Sequence, residues 1–203
     1  MAAVNARRRP LEFGIAAHVL QGSQASGDVA VVVTTGAGAL FAAVDGLGHG
    51  EKAAQAAHVA RTVIEGNSSL PLAPLLELCH RELRSTRGAV ISMAAVDLER
   101  CELAWLGVGN VQCMLCSADP ARQPARVEML QRTGVVGAQL PLLKSESVRF
   151  QRGDLLVMAT DGIHARFADD IAPHSDPERL AAAILKAHLR GDDDALVLVA
   201  RLT

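Results

Sequence analysis

The sequence predicts an α+β protein of layered antiparallel sheets. Three observations carry that expectation. Strand-like segments follow one another through short turns, in the order β-β-β-α-α, then a run of strands, then α, then β, where a parallel fold would alternate strand with helix. The run LLVMAT at 155–160 is apolar at nearly every position, so its strand should be buried on both faces. The 203-residue chain is 50% hydrophobic but only 2% aromatic, which suits one domain, 1–203, whose core is filled by Val, Leu, Ile and Ala.

The elements follow in order. Phe13, Ile15, Ala17 and Val19 alternate with their neighbours and predict a first strand over 13–20. GSQASGD at 22–28 is a loop by composition, and the β-branched run VAVVVTT at 29–35 is a second strand. A short glycine turn leads into ALFAAVD at 39–45, which completes a hairpin. Ala53, Ala56, Ala57, Ala60, Val63 and Ile64 then recur at helical spacing, and Gly66-Asn67 ends that helix. Pro71 and Pro74 mark the start of a second helix, with Leu72, Leu75, Leu76, Cys79 and Leu83 facing inward.

The middle returns to strands: AVISMAAVD, ELAWLGVGN, VQCMLCS and RVEMLQ. VRFQRGDLLVMATD at 148–161 reads as a hairpin turning at Arg152-Gly153. A third helix is expected over 176–190, with Pro177 in its first turn and Gly191 as its stop, and ALVLVARL closes the chain as a strand.

Several function classes fall away. The net charge of −2 makes no electrostatic case for nucleic acid or an anionic membrane. Arg7-Arg8-Arg9 is the one basic run, and it reads as part of a solvated, flexible tail over 1–10. No window holds the roughly 18 uninterrupted apolar residues of a membrane span, and no apolar segment follows the arginines as a secretory signal would require. Cys113 and Cys116 spell CxxC within a strand, where odd spacing puts them on opposite faces, and they read as buried thiols. The expectation is a cytoplasmic protein, monomeric because no coiled coil or long amphipathic extension is present.

The chemistry is carried by VDGLGHGEKA at 44–53. Three glycines stand where a strand hands over to a helix, and Glu65 follows where a dinucleotide fold, about 20 residues on, places its ribose-binding acid. Three features oppose a phosphate cradle. The spacing is GxGxG, the preceding strand is fed by a hairpin, and Asp45 would set a carboxylate against a pyrophosphate. Asp45 makes better sense as a hard oxygen ligand at a strand end, with the carbonyl of Gly46 unobstructed beside it. Other acidic corners adjoin strand ends: SGD at 26–28, TDG at 160–162 and GDDD at 191–194. Taken singly, each is a turn in which Asp caps local amides. Taken together, they supply the oxygens that bind one or two Mg²⁺ or Mn²⁺ ions.

With GVGN at 107–110, VVGAQLP at 135–141 and DDALVLVARL at 193–202, these pieces run through nearly the whole chain. In this set and order the sequence resembles the metal-dependent type-2C (PPM) protein Ser/Thr phosphatases, in their bacterial sporulation and stress-response branch. It is most similar to the small stand-alone phosphatases of the stressosome. The resemblance implies a four-layer α-β-β-α sandwich, two packed antiparallel sheets flanked by helices. It also implies two Mn²⁺ or Mg²⁺ ions, with Asp45 bridging both, the Gly46 carbonyl on one, and Asp161 and Asp193 completing the set. Asp28 would bind directly or through water, and Asp192 is the alternative to Asp193. Leu196 stands where the family's last motif carries a hydroxyl residue.

The implied substrates are phosphorylated STAS-domain proteins of the stressosome or anti-sigma-factor-antagonist type. The implied reaction is attack on phosphorus by a metal-bridging hydroxide, with Asp45 and Asp161 acting through the bound water. His49 either protonates the leaving oxygen or faces solvent at the helix start. A rival from another class is a catalytically silent domain that only docks a STAS-type partner. A nucleotide-binding oxidoreductase is a third, disfavoured by the strand order.

Overall fold

Apolar periodicity and turn chemistry produce the expected layers in the computed structural model, which describes residues 11–203. The arginine cluster and the tail over 1–10 lie outside the described residues. The strands are β1 (Glu12–His18), β2 (Asp28–Thr34), β3 (Gly38–Gly46), β4 (Ala89–Asp97), β5 (Glu102–Val108), β6 (Gln112–Cys116), β7 (Arg126–Glu128), β8 (Glu146–Arg149), β9 (Leu155–Ala159) and β10 (Ala195–Arg201). The helices are α1 (Glu51–Gly66), α2 (Leu72–Glu82) and α3 (Pro177–His188). The strands form two five-stranded sheets, ordered β1-β10-β9-β6-β7 and β2-β3-β4-β5-β8, and every strand pair in them is antiparallel.

Strand alternation explains how one short chain fills four layers. In β3, Phe41 and Ala43 face the second sheet, while Leu40, Ala42 and Val44 face the helices. In β9, Leu156 and Met158 point between the sheets, and Leu155, Val157 and Ala159 point outward under α3. A strand sandwiched this way can be apolar at every position. The alanine stripe of α1 (Ala53, Ala56, Ala57, Ala60) rests on β2 and β3, and α2 extends the same layer. The contact is close: a side chain on Gly46 would start 2.2 Å from the Ala53 carbonyl oxygen. On the opposite face Asp176 caps α3 by accepting from the Arg179 amide at 3.0 Å, and Pro177 opens the helix.

Two expectations need correction. The segment 148–161 is not a hairpin. β8 pairs with β5 at the edge of one sheet, whereas β9 lies inside the other between β10 and β6. The reason is burial. The sequence of β8, ESVR, is largely exposed and suits an edge, while fully apolar β9 needs cover on both faces. The turn at Gly153 therefore carries the chain across the sandwich. The strand predicted from RVEMLQ ends at Glu128, after which the Met129 amide donates to the Cys113 carbonyl of β6 and Gln131 accepts from the Ser92 hydroxyl of β4. A 3-10 turn over Ala165–Asp170 was not foreseen.

The two cysteines of β6 do sit on opposite faces. Cys113 lies between the sheets and Cys116 on the α3 side. Burial pushes the Cys116 thiol up to about 11 and the Cys79 thiol to about 12, so both stay protonated and inert.

Candidate functional site

The acidic corners meet at one end of the sandwich. Antiparallel register places Asp28 directly opposite Asp45, on the same face of β2 and β3. Asp45 continues the Phe41–Ala43 row, so it points toward the gap between the sheets. From the second sheet, Thr160 and Asp161 follow the end of β9, and Asp193 and Asp194 precede β10. Asp45, Asp161 and Asp193 line one cleft of about 460 Å³, together with Gly48, Asn110 and the segment Thr133–Val135.

Crowding of like charges in a poorly hydrated place sets the electrostatics. Burial raises Asp45 to about 8, helped by the carboxylates of Asp28, Asp161, Asp193 and Asp194. Burial likewise raises Asp28 to about 7, with Asp194, Asp161 and Asp193 adding to the shift and a hydrogen bond from Thr160 opposing it. Among the described residues none of these five aspartates forms an ion pair. Such a set needs protons or cations from outside the chain.

Neutral donors hold the carboxylates in place. The Thr160 hydroxyl donates to Asp28 Oδ2 at 2.6 Å and accepts from the Leu196 amide at 2.8 Å. Asn110 Nδ2 donates to Asp161 Oδ2 at 2.8 Å. Asp194, buried, accepts from the amides of Leu20 and Gly27 at 2.8 and 2.7 Å, which ties the loop before β2 to the start of β10. The Gly46 amide in turn donates to the Gly27 carbonyl at 2.9 Å. A side chain at Gly27 would begin 2.8 Å from Ala53 Cβ and 3.2 Å from the Gly46 oxygen, so the corner closes only over glycine.

The residues singled out from the sequence are distributed as follows. Asp45, Asp161 and Asp193 share the cleft, and Asp28 stands beside Asp45 just behind its lining. Gly46 packs under α1 and is not part of the lining. His49 is exposed on the loop and does not line the cleft. Of the triple aspartate, Asp192 is exposed, Asp193 lines the cleft and Asp194 is buried. The side chain of Leu196 points into the core between the sheets, and the hydroxyl near its backbone comes from Thr160. Thr160, Asn110 and Asp194 are the supporting residues that sequence reasoning missed. For Asp194 a signal was present: Leu196, Leu198 and Ala200 share its parity along β10 and all face inward.

The donor set fits a divalent cation, because it consists of hard carboxylate oxygens with no cationic partner. The oxygens line a cleft, and among the described residues no three acidic, imidazole or thiol groups are closed into a ready-made cage.

A family model described as Stage II sporulation protein E (SpoIIE) matches residues 35–203. The chain is 24% identical over 135 residues to the phosphoserine phosphatase RsbX of Bacillus subtilis (strain 168), a match covering 66% of this chain and 64% of that protein. A solved structure described as "The bacterial stressosome: a modular system that has been adapted to control secondary messenger signaling" is 33% identical, with a TM-score of 0.85 over 95% of this chain and 100% of the other. Crystalline RsbX in complex with magnesium superposes with a TM-score of 0.85 over 97% of each chain, at 19% identity. That last likeness concerns the fold, which is the two-sheet sandwich of type-2C phosphatases.

Proposed function

The chain belongs to the Stage II sporulation protein E (SpoIIE) family, and on that premise we propose that it is a divalent-metal-dependent protein phosphatase. It removes phosphate from serine or threonine of a bacterial regulatory protein in the cytoplasm. The proposed partner is a phosphorylated STAS-domain protein of the stressosome or anti-sigma-factor-antagonist type. The likeness to a phosphoserine phosphatase and to a structure whose description names the bacterial stressosome supports the phosphoserine and stressosome parts of this reading. The observation that carries the reading is the group of five unpaired aspartates around one cleft.

Asp28, Asp45, Asp161, Asp193 and the Gly46 carbonyl would hold two Mn²⁺ or Mg²⁺ ions. Bound there, the ions would lower the pKa of a water toward neutrality and offset charge on the phosphoryl oxygens. The chain's own part is orientation. Asn110 occupies one oxygen of Asp161, and Thr160 occupies one oxygen of Asp28. Those bonds restrict rotation of each carboxylate, so less ordering is needed when a cation binds. Asp194 fixes the loop on which Asp28 stands. His49, exposed on the loop between β3 and α1 and outside the cleft lining, is the candidate to donate a proton to the departing seryl oxygen.

The test is hydrolysis of p-nitrophenyl phosphate and of a phosphoserine peptide with Mn²⁺, with EDTA, and by Asp45→Asn in Mn²⁺. Turnover should require the metal and fall by about a hundredfold or more in the variant. No turnover in any condition, with calorimetry also detecting no Mn²⁺ binding, would leave a docking domain on a phosphatase fold.

A further inference from the structure

If the cleft hydrolyses phosphoserine, something in it must receive the phosphate dianion, and among the described residues no cationic side chain lines it. The nearby arginines differ in how far they are already engaged. Arg132 faces Glu146 at 3.8 Å, and Arg190 donates to the Asp161 carbonyl at 3.1 Å. Arg87 is exposed, and among the described residues its guanidinium has neither an ion pair nor a hydrogen bond. Yet it is not loosely placed. Its Nη1 lies 2.7 Å from where a side chain on Gly48 would begin, and Gly48 belongs to the cleft wall.

We infer that Arg87 is the phosphate-binding residue of this site, taking a nonbridging phosphoryl oxygen of the substrate; the inference rests on the phosphatase reading and deepens it. Three observations support it. First, the backbone under Arg87 is pinned on both sides. The Thr86 hydroxyl donates to the Leu83 carbonyl at 2.7 Å and accepts from the Gly88 amide at 3.0 Å. The Gly88 carbonyl accepts from the Leu47 amide at 3.0 Å, which fastens this turn to the loop carrying Gly48.

Second, Gly48 leaves the guanidinium its place. Its φ of 82° favours glycine, and any side chain would displace Arg87 from the cleft edge. Third, the charges call for it. Two divalent cations would not fully offset five aspartates, and a phosphomonoester adds up to about two more negative charges. A planar guanidinium with unused donors matches phosphate oxygens, and its delocalised charge is weakly hydrated enough to exchange water for them.

The experiment compares wild type, Arg87→Ala and Arg87→Lys on a phosphoserine peptide in Mn²⁺, with inhibition by inorganic phosphate measured in parallel. Arg87→Ala should raise KM and the phosphate inhibition constant together by about tenfold, with a smaller fall in kcat. Arg87→Lys should recover part of both, because it keeps the charge and loses the fork. Melting temperatures should coincide, since the side chain makes no bond in the folded chain. KM and the inhibition constant within twofold of wild type would overturn the inference. So would a rise in KM alone, because the arginine would then hold peptide and not phosphate. A wild type that turns over no phosphopeptide would overturn the phosphatase reading, and this inference with it.

Discussion

The two ends of β9 handle buried carboxylates in opposite ways. At its start Asp154 is 0% exposed and fully served. It accepts from Arg122 Nη1 at 2.7 Å, from the Gln151 amide at 2.8 Å and from the Ala118 amide at 2.9 Å. At its other end Thr160 and Asp161 enter a group of aspartates that has hydroxyl, amide and backbone donors but no cation. A buried carboxylate completed by the chain is part of the scaffold. One left incomplete costs stability unless a ligand supplies the missing charge. The same residue type, five residues of strand apart, is therefore completed by the fold at one end and left to be completed from outside at the other.

The comparison breaks most visibly by removing Asp154. Asp154→Ala should destabilise the protein by about 3 kcal/mol, since it strands two amides and leaves Arg122 without its partner. Activity per folded molecule should persist. Asp45→Asn should do the reverse. In EDTA it should melt higher than wild type, because the buried Asp45 carboxyl must either take up a proton on folding or sit charged among like charges and asparagine does neither, while its turnover is lost. Chemical denaturation and turnover, measured on both variants, check the crossing pattern. An Asp45→Asn protein as destabilised in EDTA as Asp154→Ala would erase the distinction between the two ends.

Much of this was legible in the sequence, for reasons that mark its limits. The hairpin of β2 and β3 followed from local turn chemistry, whereas Asp28, read as the end of a loop, opens β2 opposite Asp45, a pairing set by the register of the whole hairpin. The helix of small residues after the glycines was equally local. The crossing from β8 to β9 was not legible. A short turn between two strands looks the same whether they pair or part, and the choice depends on which sheet can cover both faces of β9. The acidic corners were visible because Asp beside Gly at a strand end is a local pattern. Thr160, Asn110 and Arg87 were invisible as site residues. Each meets its neighbour across a long separation, 132 residues for Thr160 with Asp28 and 51 for Asn110 with Asp161.

A metal titration at two pH values sharpens the contrast further. Asp28 and Asp45 are raised in the folded, metal-free protein to about 7 and about 8, from an ordinary value of 3.8. The folded state therefore keeps protons that the unfolded chain releases as pH climbs above about 4. The associated stability is fully present below that point and is lost as pH rises through about 7 to 8. A divalent cation replaces those protons. It competes with protons on both at about pH 6 and with far fewer at about pH 8, where Asp28 is mostly ionised and Asp45 about half. The rise in melting temperature on adding Mn²⁺ should thus be several degrees larger at the higher pH. Equal shifts at both would mean that the carboxylates titrate normally and that the crowding has no energetic consequence. Asp154 stands at the opposite end of β9 from the cleft, so Asp154→Ala should show the difference undiminished.

The smallest effect concerns the hydroxyl that joins the two sheets at the ligand end. Thr160 gives its proton to Asp28 and receives one from the amide of Leu196, so Thr160→Val removes both bonds while keeping the side chain's shape. The Leu196 amide is then left unpaired in a buried place, at a cost of about 1–2 kcal/mol in EDTA. If the hydroxyl did nothing more than close the gap between β9 and β10, the penalty in saturating Mn²⁺ would be the same. It should be larger, because Thr160 also orients Asp28, and Mn²⁺ affinity should fall several-fold. Thr160→Ser, which retains the hydroxyl, should restore the affinity even where it loses some packing. The separation between these two variants tests whether this end of β9 is built for a ligand or merely tolerates its own charges.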